Sequence, residues 1–141
     1  MDIQEIKEDL FKKSMTRHNV LDLSVGLFTL LFHEFIAKPY YRTYIYANDI
    51  YDFHIADTLG NSLGTIAGVF ILVGLIGRDI FKNKLLIKIT TISFILFELS
   101  QPLFGKPIDP WDVIATILTG VFCFFIYGMI HPNKLKQKGV V

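Results

Sequence analysis

The sequence predicts an all-α membrane protein, a bundle of four transmembrane helices, and two features of the chain support this fold class. The 141 residues are 52% hydrophobic, a high share for a water-soluble domain. The hydrophobic residues also form four blocks, each close to the roughly 20 residues that cross a bilayer as a helix. The blocks are 20–37, 58–77, 85–104 and 113–130. We therefore expect one four-helix transmembrane domain at 19–131.

The segment at 1–18 has the pattern of an amphipathic helix. Ile3, Ile6 and Leu10 recur at helical spacing and share one face, and charged residues occupy the other face. We expect this segment to be a cytoplasmic helix lying on the inner membrane surface. A solvated tail is the alternative.

Positive charge is divided unevenly between the two sides of the predicted bundle. Eleven of the fourteen Lys and Arg residues fall in 1–18, in 78–88 or in the basic tail at 132–141. The positive-inside rule then places both termini in the cytoplasm and the protein in the inner (cytoplasmic) membrane. The expected partner is the lipid bilayer, and a net charge of +1 gives no reason to expect nucleic acid.

The connection at 40–56 is the predicted first outer loop, and it is rich in tyrosine. Tyrosines at such a boundary are typical of the aromatic belt at the membrane surface. The spacing from Tyr40 to Tyr46 fits either a helix or a strand.

The second block opens with a mixed polar and glycine pattern. Asp57, Asn61, Gly64 and Gly68 are spaced by four, three and four, which places them on one helix face. Gly60, Gly64 and Gly68 add small residues every four positions, a pattern that lets another membrane helix approach closely. We expect these glycines to form a helix-packing surface.

The end of the third block and the start of the fourth carry further polar residues. Glu98 and Gln101 lie at the end of the third block, just before a proline. Asp109 suits the N-cap of the next helix, Pro110 its first position and Asp112 its third. A helix is therefore expected to begin at Pro110.

The two halves of the chain show a weak internal repeat. Asp57 with Asn61 in the second block corresponds to Asp112 with Thr116 in the fourth. Each half contains two spans, so both halves enter the membrane in the same direction. This predicts two tandem helical hairpins related by a pseudo-twofold axis along the membrane normal.

The stretches 98–119 and 54–64 resemble the motif of the VanZ-like membrane proteins. In that family a Glu-x-x-Gln helix end precedes a loop and an Asp-x-x-Asp-x-x-x-Asn-x-x-Gly run. Here the motif is divided between the two stretches. The first matches it at Glu98, Gln101, Asp109 and Asp112, but has Thr116 in place of the Asn and Thr119 in place of the Gly. The second matches it at Asp57, Asn61 and Gly64, and His54 replaces the leading Asp. The family takes its name from resistance to glycopeptide antibiotics.

Polar residues of the predicted spans should gather at the outer face of the bundle. They are His33, Glu34, Asp57, Asn61, Glu98, Gln101, Asp109 and Asp112. We expect Glu98 and Asp112 at the centre of a pocket, with Glu34 and Asp57 opposite them. The alternative is a set of separate helix caps and interfacial anchors, with the amides as interhelical hydrogen-bonding groups.

The leading hypothesis is a VanZ-like membrane protein whose acidic pocket binds or acts on a lipid-linked or glycopeptide ligand of the cell envelope, in antibiotic resistance. One alternative is a small proton, ion or solute transporter, for which a homodimer could complete the path. Another is a structural or regulatory protein that binds a partner helix through Gly60, Gly64 and Gly68.

The sequence has no recognisable catalytic motif, such as a nucleophile elbow or a phosphate-binding loop. No cofactor is expected. A divalent cation held by Glu34, Asp57, Glu98 and Asp112, with or without His33, is the alternative, since hard cations prefer carboxylate oxygens. The single cysteine, Cys123, lies within the fourth block and is expected to be a small packing residue.

Overall fold

The computed structural model describes residues 16–77 and 80–132, which contain helices and no β-strand. The four long helices are α1 (Arg17–Ala47), α2 (Ile55–Ile76), α3 (Ile80–Leu99) and α4 (Pro110–Ile130). The predicted all-helical class is confirmed. Three of these helices, α1, α2 and α4, are long and apolar enough to cross a membrane.

Helix α3 has a comparable length but a different composition. Lys82, Lys84 and Lys88 lie in its first half and Glu98 near its end. The amphipathic helix predicted at 1–18 and the tail predicted at 132–141 lie almost entirely outside the described residues. Both stay predictions.

The helices form two antiparallel hairpins. The Asn19 side chain, near the start of α1, donates to the carbonyl oxygens of Gly74 and Gly77, at 3.1 and 3.0 Å. In the second hairpin, the Asn83 side chain on α3 donates to the Tyr127 hydroxyl on α4, at 2.7 Å. The α1–α2 and α3–α4 loops therefore share one end of the bundle, called here the loop end. The opposite end, with the α2–α3 connection, is the terminal end.

Helix α1 is longer than predicted and contains a π-helical segment. His33–Arg42 is π-helical and Thr43–Ala47 returns to α-helix. Pro39 lies inside the π segment, where it has no N–H to donate and would clash with the preceding turn of a regular α-helix. The wider π turn lets the helix continue. The predicted loop at 40–56 is therefore wrong for 40–47, which is helical. Of the two alternatives for Tyr40 to Tyr46, the helix is confirmed and the strand is not.

Two glycines let α1 and α2 approach closely. A Cβ atom on Gly26 would lie 2.7 Å from the backbone nitrogen of Ile71. A Cβ atom on Gly74 would lie 2.7 Å from the backbone nitrogen of Leu23. Backbone atoms cannot rotate aside, so a side chain at either glycine would push the two helices apart.

The glycines predicted to form one packing surface have three different surroundings. A Cβ on Gly68 would lie 2.5 Å from the Phe94 ring on α3, and one on Gly60 would lie 3.6 Å from Nε2 of His33 on α1. Gly64 has no atom within 4 Å of such a Cβ. Each step of four residues turns about 40° beyond a full helical turn. The three glycines therefore rotate from α1 towards α3.

The core of the bundle lies in its terminal half. Its buried cluster consists of Val69, Phe70, Val73, Ile87, Cys123 and Tyr127. Cys123 is a free, fully buried thiol in this cluster, as expected for a packing residue.

Candidate functional site

A cavity of about 380 Å³ lies between α2, α3 and α4 at the loop end. Its lining is made of two glycines, two phenylalanines and four polar residues: Gly60, Gly64, Phe94, Phe97, Asn61, Thr65, Glu98 and Thr116. The glycines leave room where a larger side chain would fill the space between helices. We call this cavity the loop-end pocket.

Glu98 is the acidic residue on the wall of the loop-end pocket. It lies in the last turn of α3 and is only 9% exposed. The Gln101 side chain, in the 3₁₀ turn that follows α3, donates a hydrogen bond to the Glu98 carboxylate. The Glu-x-x-Gln spacing thus brings the amide back over the carboxylate at the helix end.

Asp112 borders the same site from α4. The Asn61 amide on α2 lies near the Asp112 carboxylate and favours its charged form, while the Asp112 and Glu98 carboxylates repel each other. One turn further along α4, the Thr116 hydroxyl donates to the carbonyl oxygen of Asp112, at 2.9 Å. Helices α2, α3 and α4 therefore each contribute a polar side chain to one site.

Asp57 belongs to a hydrogen-bonded network at the rim of the site. Its carboxylate accepts a hydrogen bond from the Tyr46 hydroxyl and lies 3.2 Å from Nδ1 of His54. The His54 ring stacks on Trp111, with ring centroids 5.1 Å apart. Arg42 donates from Nε to the Tyr46 hydroxyl, at 3.1 Å. The network connects the loop-end parts of α1, α2 and α4.

Glu34 lies apart from the loop-end pocket. Its carboxylate is 3.3 Å from Nζ of Lys38 and 2.9 Å from Nδ1 of His33, and its side chain is 47% exposed. His33 is more buried and approaches Gly60 on α2. The expected position of Glu34 opposite Glu98 is not what the structure has.

Asp109 is a helix cap. It is exposed, and its carboxylate accepts a hydrogen bond from the backbone N–H of Trp111, at 2.9 Å, just before α4 begins at Pro110. The predicted start of α4 is confirmed. The structure therefore brings Glu98, Gln101, Asn61 and Asp112 together, while Asp57 stands at the rim.

The structure also has a buried polar cluster at the terminal end that the sequence did not reveal. Nε2 of His131 lies 2.7 Å from Oδ1 of Asp22, and both side chains are 2% exposed. Nδ1 of His131 lies 3.0 Å from Nδ1 of His18. Asp22 is therefore held by a side chain that lies just after α4 rather than by its own helix end. An acid isolated in an apolar block was the available signal that a buried partner exists.

Within 16–77 and 80–132, no group of three His, Cys, Asp or Glu side chains is placed to hold a metal ion. Of the carboxylates considered for a divalent cation, Glu34 pairs with Lys38 and Asp57 with Tyr46. Comparison with protein-family models, with curated proteins and with solved structures gives no match to this chain.

Proposed function

We propose that this chain is an integral membrane protein that binds the polar headgroup of a cell-envelope ligand in the loop-end pocket. The observation that carries the proposal is the Glu98 carboxylate, nearly buried on the wall of an open cavity. A buried charge is costly unless it is well partnered. Gln101 satisfies part of the carboxylate, which has about four acceptor positions. A ligand that donates hydrogen bonds would satisfy more of them.

The lining of the loop-end pocket suits a cationic or polyhydroxylated headgroup. Glu98 accepts hydrogen bonds, while Asn61 and Thr65 can both donate and accept. Phe94 and Phe97 provide an apolar wall, against which a sugar ring or the first part of a lipid chain can pack. A lipid-linked envelope intermediate combines these two chemistries, and so does a glycopeptide.

The family resemblance supports the same site. Glu98, Gln101, Asn61 and Asp112 all belong to the VanZ-like motif, and all lie in or beside one cavity. We propose that the protein is VanZ-like and acts in resistance to glycopeptide antibiotics. The Lys and Arg distribution supports a loop end outside and both termini in the cytoplasm, in an inner-membrane protein.

We further propose that α3 is a fourth span and that the two hairpins are repeats. The lysines of α3 lie in its first half, so their long side chains can extend to the membrane surface while the helix crosses. The repeat is supported by equivalent positions in the two hairpins: Asp57 and Asn61 on α2 correspond to Asp112 and Thr116 on α4.

The two alternative functions have less support. A path for ions or protons would have to cross the buried apolar cluster that includes Val69, Val73 and Ile87. Binding a partner helix through the glycines would require Gly68 to be open, and Phe94 covers it. Ligand binding at the loop end is therefore preferred, and the homodimer stays a prediction.

A charge-neutral variant tests the proposal. The purified protein in lipid nanodiscs is titrated with a polyprenyl-linked amino sugar and, separately, with a glycopeptide antibiotic. Glu98→Gln keeps the shape of the side chain but removes its charge. A charged hydrogen bond contributes about 1.5–3 kcal/mol, so affinity should fall about tenfold or more.

The matched control is Asp109→Asn, because Asp109 lies outside the pocket and Asn caps a helix as well as Asp does. This variant should bind like the wild type. Equal binding by Glu98→Gln and Asp109→Asn would overturn the assignment of the pocket. No binding of either probe by the wild type would reject the proposed ligand classes.

A further inference from the structure

A second cavity, of about 350 Å³, forms a groove on the outside of the α3–α4 hairpin. Ile87 and Gly120 lie at its base. A Cβ atom on Gly120 would lie 2.1 Å from Cγ2 of Thr91, so the absence of a side chain there lets the helices pack closely beneath the groove. Ile92 and Val121 line it and are half exposed. The groove is open to the surroundings of the helices.

Two lysines stand at the terminal-end side of this groove. Nζ of Lys84 and Nζ of Lys88 lie 5.4 and 5.2 Å from the centroid of the same ring, that of Phe124. Neither lysine forms an ion pair with a carboxylate in the part of the chain that the structure describes. Like charges four residues apart on a helix repel. An anion bound between the two ammonium groups would relieve this repulsion.

We propose that the groove binds an anionic phospholipid of the surrounding bilayer. Its acyl chain would lie along the apolar groove, and its phosphate would contact Lys84 and Lys88. The groove extends from Ile87 to Ile95, about 12 Å of helix length. Basic sites between membrane helices are suited to anionic headgroups. A zwitterionic lipid fits less well, because its own ammonium would add to the two positive charges.

This site is separate from the loop-end pocket and does not depend on its proposed ligand. The groove lies on α3 and α4 alone, and Lys84 and Lys88 belong to the opposite half of α3 from Glu98. The occupant is a lipid rather than a free phosphate, because most of the groove is apolar and only one end is charged.

Native mass spectrometry of the full chain tests the proposal. Protein is released from mixed vesicles of phosphatidylglycerol and phosphatidylcholine with the same acyl chains, and the retained lipids are counted. The wild type should retain phosphatidylglycerol in preference to phosphatidylcholine. Lys84→Gln with Lys88→Gln should lower phosphatidylglycerol retention about tenfold or more, while Arg at both positions should preserve it.

The charge control is Lys82→Gln, on the same helix but neither in the groove lining nor, like Lys84 and Lys88, over the Phe124 ring, and it should retain lipid as the wild type does. A second variant tests the groove without changing charge. Val121→Trp should fill the groove and lower retention, whereas Phe125→Trp, at an exposed position outside the lining, should not.

Several outcomes would overturn the lipid site. Unchanged retention in the double Gln variant would do so, as would equal loss in Lys82→Gln or equal retention of the two lipids by the wild type. Displacement of the lipid by millimolar inorganic phosphate would show a free-anion site instead. If the double Gln variant does not elute as a monodisperse species, the Val121→Trp comparison decides the question.

Discussion

The bundle has a polar cluster at each end, and the two clusters satisfy a carboxylate in different ways. At the terminal end, Asp22 and His131 are both 2% exposed and bind each other at 2.7 Å. At the loop end, Glu98 lines an open cavity and its described hydrogen bond is to a neighbouring amide. The terminal cluster is closed and connects α1 to α4, whereas the loop-end cluster is open between three helices. The closed pair suits a role in stability, whereas the open carboxylate suits the proposed ligand site.

The largest effect on stability is expected from breaking the terminal pair. His131→Ala leaves Asp22 buried without its closest partner, and removing one member of a buried pair typically costs about 3–5 kcal/mol. The free energy of unfolding in detergent, measured by denaturant titration, should fall by this amount. A similar loss of unfolding free energy in Glu98→Gln would contradict the contrast between the two ends, because both clusters would then stabilise the fold.

A smaller loss is expected from Asn19→Ala at the same end. The Asn19 side chain donates to the carbonyl oxygens of Gly74 and Gly77, at 3.1 and 3.0 Å. Leaving these buried groups without their donor should cost about 1–3 kcal/mol. Thermal unfolding of the purified variant measures this loss. Ser24→Ala is the control, since the exposed Ser24 hydroxyl bonds only within its own helix, and a loss there equal to that of Asn19→Ala would contradict the prediction.

The smallest effect on stability is expected at the loop end. Asn61→Ala removes the amide near Asp112, but water can reach the open cavity and replace it. The free energy of unfolding should change by less than about 1 kcal/mol, while affinity for a headgroup ligand should fall. A stability loss as large as that of His131→Ala would mean that the loop-end polar groups hold the bundle together.

Local patterns in the sequence were sufficient for most of the fold. The hydrophobic blocks predicted the helices, and the Asp109–Pro110 pair predicted the start of α4, because both signals depend on residues close together in the chain. The continuation of α1 past Pro39 was missed, since a π-helical turn has no simple sequence signature. The predicted single surface of Gly60, Gly64 and Gly68 is wrong, because each step of four residues turns about 40° around α2.

The two polar clusters differed in how far they could be predicted. Glu98, Gln101, Asn61 and Asp112 were named because they stand in motifs at helix ends. The terminal pair was not found, since Asp22 and His131 are 109 residues apart and no local pattern connects them. The pocket walls formed by Phe94 and Phe97 were also missed, because they depend on how α3 packs against α2.

The most direct test of the contrast between the two ends is the thermal unfolding of Glu98→Gln in nanodiscs, with and without the polyprenyl-linked amino sugar. A ligand that binds the folded state raises its Tm. We predict that the variant keeps the wild-type Tm without ligand and loses the ligand-induced rise. A lowered Tm without ligand, together with an unchanged ligand-induced rise, would contradict the account and make Glu98 a structural residue like Asp22.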